Sequence, residues 1–186
     1  MKFENYQRIL DVLISIIMFP FCLVIILLLS LVTLILDREP PLFCQTRIGR
    51  DKKSFTIFKM RTYSSETPIL PTHEICEFPM LRVGKLYRTL KVDEVPQIIN
   101  VILGDMSLVG PRPCLPTQLE LLTLRDKAGI FDLRPGVTGL SQIRGIDMSD
   151  PRALVASDKD MINLKITTYF WILFSTMRYS VNYRKA

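Results

Sequence analysis

The sequence predicts an α+β protein anchored to a membrane by a re-entrant, proline-broken N-terminal helix and carrying a small, mostly helical cytoplasmic domain. That domain holds one short β-hairpin and helices that lie in the membrane interface. Three observations lead there. Residues 12–36, VLISIIMFPFCLVIILLLSLVTLIL, contain no charged side chain, in a chain that is 23% charged overall. Beyond them the apolar spacing first alternates and then runs in threes and fours, the order of a hairpin followed by helices. Residues 1–36 hold two basic and two acidic side chains, so the whole net charge of +6 lies beyond them. The natural division is an anchor over 1–38 and a domain over 39–186, a length that suits one domain.

Composition excludes several classes. With 48% hydrophobic residues and a mean hydropathy of +0.25, the chain can bury a core and is not a disordered tail. A net positive charge fits an anionic lipid surface, a phosphorylated substrate or a nucleic acid, and alone does not choose among them. Cys22, Cys44, Cys76 and Cys114 show no CxxC spacing, which argues against a zinc site or a disulfide framework and makes a reducing cytosol the default. His73 is the only histidine. Any triad or histidine-ligated metal would rest on it, and its proline-bounded polar surroundings favour a solvated loop side chain.

The anchor comes first along the chain. At about 1.5 Å per residue, a helix over residues 12–36 is long enough for the roughly 30 Å hydrocarbon layer. Pro20 removes a backbone donor and clashes with the preceding turn, so a bend is expected at Phe19-Pro20. A bent helix can dip into the bilayer and return, with both flanks cytoplasmic. A full span is the alternative. A cleaved signal peptide fits poorly, because the run is too long and no small-residue cleavage site precedes Asp37.

After the exit at Asp37 to Pro41, Leu42 to Gln45 and Ser54 to Met60 alternate like strands around a turn at Gly49-Arg50-Asp51-Lys52, a hairpin. Residues 62–79 read as a long polar loop. From Arg82 to Leu103 the apolar spacing is helical, with a second helix starting near Val92-Asp93 and ending at Leu103-Gly104. Gly110-Pro111-Arg112-Pro113 and residues 134–139 read as rigid turns, with a short helix over Leu119 to Lys127 between them. Ile166 to Met177 is too short to span and rich in Tyr169, Phe170 and Trp171. It is expected to lie in the membrane interface, with an ordinary core helix as the alternative.

Asp93 and Glu94 stand adjacent in a stretch otherwise basic and apolar, Lys85 to Gln97. Alone, the pair is an N-cap and a first-turn acid that favours the helix dipole. Its surroundings point further. Lys59, Arg61, Arg88, Lys91 and Arg112 fall on nearby turns and helix ends. Paired carboxylates among arginines suit metal-assisted phosphoryl transfer, because Mg²⁺ takes one or two carboxylates plus substrate phosphates while cations stabilise the charge in transit. With no second histidine available, a carboxylate nucleophile is the economical choice. From the residues alone, such an enzyme and a membrane-tethered basic binding module for nucleic acid or anionic lipid both stay open.

Four blocks carry a resemblance: Phe58-Lys59-Met60-Arg61-Thr62; Arg88-Thr89-Leu90-Lys91-Val92-Asp93-Glu94-Val95-Pro96-Gln97; Asn100 to Pro113; and Arg134-Pro135-Gly136-Val137-Thr138-Gly139-Leu140-Ser141-Gln142. Together with the membrane run they resemble the bacterial sugar transferases, the monotopic phosphoglycosyl transferases. The length is similar to that of minimal members such as the bacillosamine-phosphate transferase of bacterial N-glycosylation. The resemblance implies transfer of a sugar 1-phosphate from a UDP-sugar to undecaprenyl phosphate with release of UMP, at the cytoplasmic face of the bacterial inner membrane. The route would be ping-pong, through a covalent phosphosugar on Asp93. It implies that Glu94 holds Mg²⁺ with Asp93 or manages a proton, that Arg88, Arg112, Lys59 and Arg61 grip phosphates, and that Pro20 breaks the membrane helix. Arg134, Gln142 and Arg144 are weaker candidates for nucleotide or sugar contacts. No nucleic acid partner is implied, and a homodimer is left open. A reaction without a covalent step, in which Glu94 activates the lipid phosphate, is the remaining enzymatic alternative.

The sequence departs from the family pattern at Lys91-Val92, where Ser-Leu or Gly-Leu is common, and at Ile143-Arg144-Gly145-Ile146, where many relatives have Val-Asn-Gly-Arg. The family's Tyr-Asp-x-x-Tyr survives at best as Ser157-Asp158.

Overall fold

The structure, a computed structural model, describes residues 3–68 and 78–182. Much of the predicted 62–79 loop, with His73 and Cys76, lies outside the described residues.

The chain begins with one long helix, α1 (Phe3–Leu36), with Pro20 inside it. Among the described residues it is the one helix long and apolar enough to cross a membrane by length and composition. Its contacts divide sharply along its length. Near the N-terminus, Gln7 Nε2 donates to Ser107 Oγ and to Val109 O, both at 2.8 Å, and Arg8 Nη1 donates to Val101 O at 2.7 Å. One turn on, the buried Asp11 carboxylate accepts from Ser107 Oγ at 2.6 Å, Leu108 N at 3.1 Å and Tyr169 OH at 2.7 Å. At the other end, Ile26 packs on Met60, Val83 and Tyr87, Tyr87 OH donates to Leu29 O at 2.9 Å, and Asp37 Oδ1 accepts from Arg82 N at 2.8 Å. Between these two footings Ile16, Ile17, Met18, Phe21, Val24 and Ile25 are exposed. Apolar side chains left in the open this way are suited to lipid.

The predicted hairpin forms, its second arm as expected and its first arm longer: β1 (Leu42–Ile48) pairs antiparallel with β2 (Ser54–Met60), Leu42 facing Met60 and Ile48 facing Ser54. Its inward face is not the apolar one expected for β1. Leu42 and Cys44 are exposed while Gln45 and Arg47 are buried, because that face lines a polar cavity rather than the core.

The predicted helix start at Val92-Asp93 is corrected. Helix α2 (Gly84–Leu90) stops at Lys91, which adopts the left-handed conformation (φ 56°). A 3₁₀ turn, Val92–Glu94, follows, and α3 (Gln97–Leu103) starts only after Pro96. Proline has no N–H to give a preceding turn and its ring crowds that turn, so it sits at the helix entrance and leaves the two acids on the tighter turn before it. Gly104, at φ 98°, closes α3 at a position where a side chain would be strained.

The two predicted rigid turns prove to flank a short parallel pair, β3 (Ser107–Val109) with β4 (Gly136–Thr138). Gly110 and Gly136 meet backbone to backbone, so that a Cβ on Gly136 would collide with the Gly110 main chain. Helix α4 (Leu119–Lys127) lies where expected. It packs on α6 (Pro151–Lys159) through Leu121, Leu154 and Val155, and the short α5 (Leu140–Ile143) precedes α6. Helix α7 (Ile166–Asn182) buries one face, as a core helix does, and leaves the other exposed. Tyr169 and Ile172 are in the core with Val109 and Leu140, while Ile166, Trp171 and Phe174 are exposed.

Candidate active site

Asp93 and Glu94 open onto a cavity of about 190 Å³ whose walls come from β1, β2, the end of α2, the 3₁₀ turn and the Gly110–Pro113 segment. Three local devices aim the groups into it. The left-handed Lys91 reverses the chain after α2. Asn100, fully buried on α3, accepts from Phe58 N at 3.1 Å and donates to Thr56 O at 2.7 Å, pinning α3 to the strand that carries Lys59. Two buried arginines then hold successive carbonyls of the Arg112 segment: Arg125 Nη1 donates to Arg112 O at 2.8 Å and Arg47 Nη1 to Pro113 O at 3.2 Å. Arg125 is itself fixed by Asp158, at 2.6 Å from Nη2.

The acids differ in environment. Glu94 Oε1 lies 3.0 Å from Lys59 Nζ and 3.5 Å from Arg112 Nη2. Burial works against its charge, but Lys59 and then Arg112 outweigh it and hold Glu94 down at about 2. Asp93 is pushed up to about 6, first by burial and then by the neighbouring Glu94 charge, with Lys59 and Arg88 pulling the other way. Two adjacent carboxylates are thus driven apart by surroundings, a pattern common where acids do chemistry. Lys59 is lowered from its usual value, chiefly by burial.

Arg88 Nη1 donates to Tyr63 OH at 2.8 Å, with its guanidinium carbon 5.2 Å from the ring centre. Arg61 Nε donates to Pro40 O at 2.8 Å. The expected phosphate ligands Arg88, Arg112, Lys59 and Arg61 therefore all line the cavity of Asp93. Arg134, Gln142 and Arg144 do not. Arg134 Nε donates to Gly104 O at 3.2 Å in a separate small pocket beside Arg8 and Asp11. Gln142 Nε2 donates to Val137 O at 3.2 Å, and Arg144 pairs with Asp160 at 2.6 Å on an exposed edge. Residues to which the sequence assigned no role in the site are Gln45, Arg47, Tyr63, Asn100, Arg125 and Asp158, although Asn100 heads one resemblance block and Asp158 was noted in the tract that departs from the family pattern. Asn100 also carries a signal of its own, a polar side chain on the apolar face of a helical run.

Among the described residues no three His, Cys, Asp or Glu side chains gather into a metal cage. The Asp93–Glu94 pair still suits Mg²⁺, which takes one or two carboxylates and fills its shell with phosphate oxygens and water.

Fold and site together define a membrane-associated protein with a carboxylate pair set in a cationic cavity, a combination chemically suited to phosphate groups. The profile of the bacterial sugar transferases matches residues 3–183, and the chain belongs to that family. It is 38% identical over 143 residues to an uncharacterized sugar transferase, EpsL, of Bacillus subtilis, covering 75% of this chain and 68% of the relative. It is 35% identical over 144 residues to a UDP-glucose:undecaprenyl-phosphate glucose-1-phosphate transferase of Caulobacter vibrioides, covering 75% and 54%. It is 30% identical over 180 residues to a UDP-N-acetylgalactosamine-undecaprenyl-phosphate N-acetylgalactosaminephosphotransferase of Aeromonas hydrophila, covering 92% and 43%. The chain thus spans about half the length of the latter two.

Proposed function

We propose that the chain is a phosphoglycosyl transferase that moves a sugar 1-phosphate from a UDP-sugar to undecaprenyl (polyprenyl) phosphate, releasing UMP and starting the assembly of a glycoconjugate. The observation that carries this reading is Asp93: a buried carboxylate with a raised proton affinity, beside an acid held ionised, in a cavity lined by Lys59, Arg88 and Arg112. Relatives named as undecaprenyl-phosphate sugar phosphotransferases suggest the donor and the acceptor.

In the first half-reaction a carboxylate oxygen of Asp93 attacks the phosphorus that bears the sugar. The bond from that phosphorus to the bridging oxygen breaks, and its electron pair leaves with UMP. In the second, a phosphate oxygen of the lipid attacks the same phosphorus, the acyl-phosphate bond breaks, and the Asp93 carboxylate is restored. A pKa of about 6 leaves Asp93 mostly ionised at neutral pH and more nucleophilic than an ordinary aspartate. An acid held at about 2 is a poor base, so Glu94 serves to fix Lys59 and Arg112 and to help Asp93 hold Mg²⁺. Bound Mg²⁺ supplies charge neutralisation to the diphosphate. Arg88 and Arg112 grip the phosphates and stabilise the charge that moves between them.

Both footings of α1 bond to one globular body, Gln7 to Asp11 on β3 and Leu29 to Asp37 on α2 and its approach. A helix crossing the bilayer would carry its ends roughly 30 Å apart to opposite faces. The shared body favours a re-entrant α1 over a full span; in this reading α1 turns back near Pro20 and the chain lies at the cytoplasmic face of the bacterial inner membrane. This arrangement sets the cavity where a water-soluble nucleotide and a lipid phosphate can both reach Asp93.

The test is UMP release from detergent-solubilised protein given polyprenyl phosphate, Mg²⁺ and a panel of UDP-hexoses and UDP-acetamido sugars. At least one donor should yield UMP, chelation with EDTA should stop it, and Asp93→Asn should lower the rate roughly a thousandfold or more. Silence with every donor would leave a basic binding module.

A further inference from the structure

Among the cations that line the cavity, Arg47 is a buried one that takes no part in the chemistry above. Arg47, on β1, is 8% exposed and lines the cavity of Asp93. Its Nη2 donates to Gln45 Oε1 at 2.7 Å and its Nη1 to Pro113 O at 3.2 Å, while Nε is buried without a partner. Among the described residues no carboxylate pairs with it: Glu94, the acid whose charge reaches it, is committed to Lys59 and Arg112. A guanidinium stripped of water and left without a counter-charge is unfavourable, and the nearby Arg112 adds to the cost. Burial and then Arg112 lower Arg47 to about 10. Holding the Pro113 carbonyl does not require a full charge, since a neutral donor could do it. A group of this kind persists where a ligand supplies the missing anion, and Gln45 keeps the planar fork in one orientation, the geometry that matches phosphate oxygens.

We propose that Arg47 is a further phosphate-binding residue of this cavity, contacting a phosphate oxygen of the nucleoside diphosphate donor or of the lipid phosphate acceptor, with Gln45 as its positioning residue. The inference rests on the transferase reading and adds a ligand from β1 to those already assigned.

The experiment measures equilibrium binding of UDP, and separately of polyprenyl phosphate in detergent, to the full-length chain and to Arg47→Gln, Arg112→Gln and the double variant. Arg47→Gln should weaken UDP, lipid phosphate or both by about tenfold or more, and whichever falls names the phosphate it meets. The double variant should be weaker than Arg112→Gln alone by a similar factor, as for two separate contacts. Arg47→Met, which keeps the apolar stem, should melt no lower than the wild type without ligand. Unchanged affinity for both ligands, a double variant no weaker than Arg112→Gln, or a lowered melting point in both Arg47 variants would make Arg47 a clamp for Pro113 and overturn the proposal. Failure of the wild type to bind either ligand would instead sink the transferase reading on which it rests.

Discussion

Asp93 and Glu94 are neighbours in the chain, yet their protons behave oppositely. Lys59 sits 3.0 Å from Glu94 and makes its charge favourable, whereas Asp93 has no ion-pair partner that close among the described residues and feels burial first. The sign of the stability effect follows. A carboxyl whose folded pKa is raised from 3.8 to about 6 binds its proton more tightly when folded, so its contribution is most favourable at low pH and is lost as pH rises through about 6. At pH 7.5 the ionised Asp93 therefore weakens the fold. Asp93→Asn, heated with EDTA and without nucleotide, should melt at a temperature equal to or above the wild type at pH 7.5, with the gap closing toward pH 5. A lower melting point at pH 7.5 would mean that Asp93 holds the structure together. The acid pair was legible in the sequence because two carboxylates stood in a basic stretch. Arg47 and Gln45 were not, because polar residues alternating along a strand read as its solvent face, and only the cavity makes that face the inside one.

Between the residue and the molecule, short elements matter more than their length suggests. The Asp93 turn depends on Pro96 stopping the helix that periodicity would have run through it. The Arg112 segment depends on α4 and α6, far along the chain. Asp158 is fully buried and pairs with Arg125, which holds the Arg112 carbonyl. Removing one partner of such a pair strands the other: Asp158→Ala should cost about 3–5 kcal/mol of stability, read as a lowered midpoint in denaturant. The double variant Asp158→Leu with Arg125→Met should recover much of that stability while UMP release stays impaired. Recovery of both would show that the pair has no bearing on the cavity. Local spacing foretold the hairpin, α4 and the helical character of α7. It missed the β3–β4 pair, since three-residue strands bounded by Gly-Pro and Pro-Gly look like turns and are made strands only by a partner about thirty residues away.

For the molecule as a whole, the long apolar helix was readable from its lack of charge, while its seat on the rest of the chain was not. It consists of Gln7, Arg8 and Asp11 seated on β3 and α3, and of Tyr87 and Asp37 at the far end of α1. If both ends return to one face, a cysteine placed near residue 2 in a background without the native cysteines should react with an impermeant reagent only from the cytoplasmic side. Reaction from outside would mean a full span. The central assignment, a phosphosugar carried on Asp93, is tested most directly by the intact mass of the protein after exposure to its UDP-sugar and Mg²⁺ with no lipid acceptor. The mass should rise by one sugar phosphate, return to the starting value when polyprenyl phosphate is added, and stay unchanged throughout in Asp93→Asn. A chain that releases UMP only when the acceptor is present, and gains no mass without it, would contradict the covalent route.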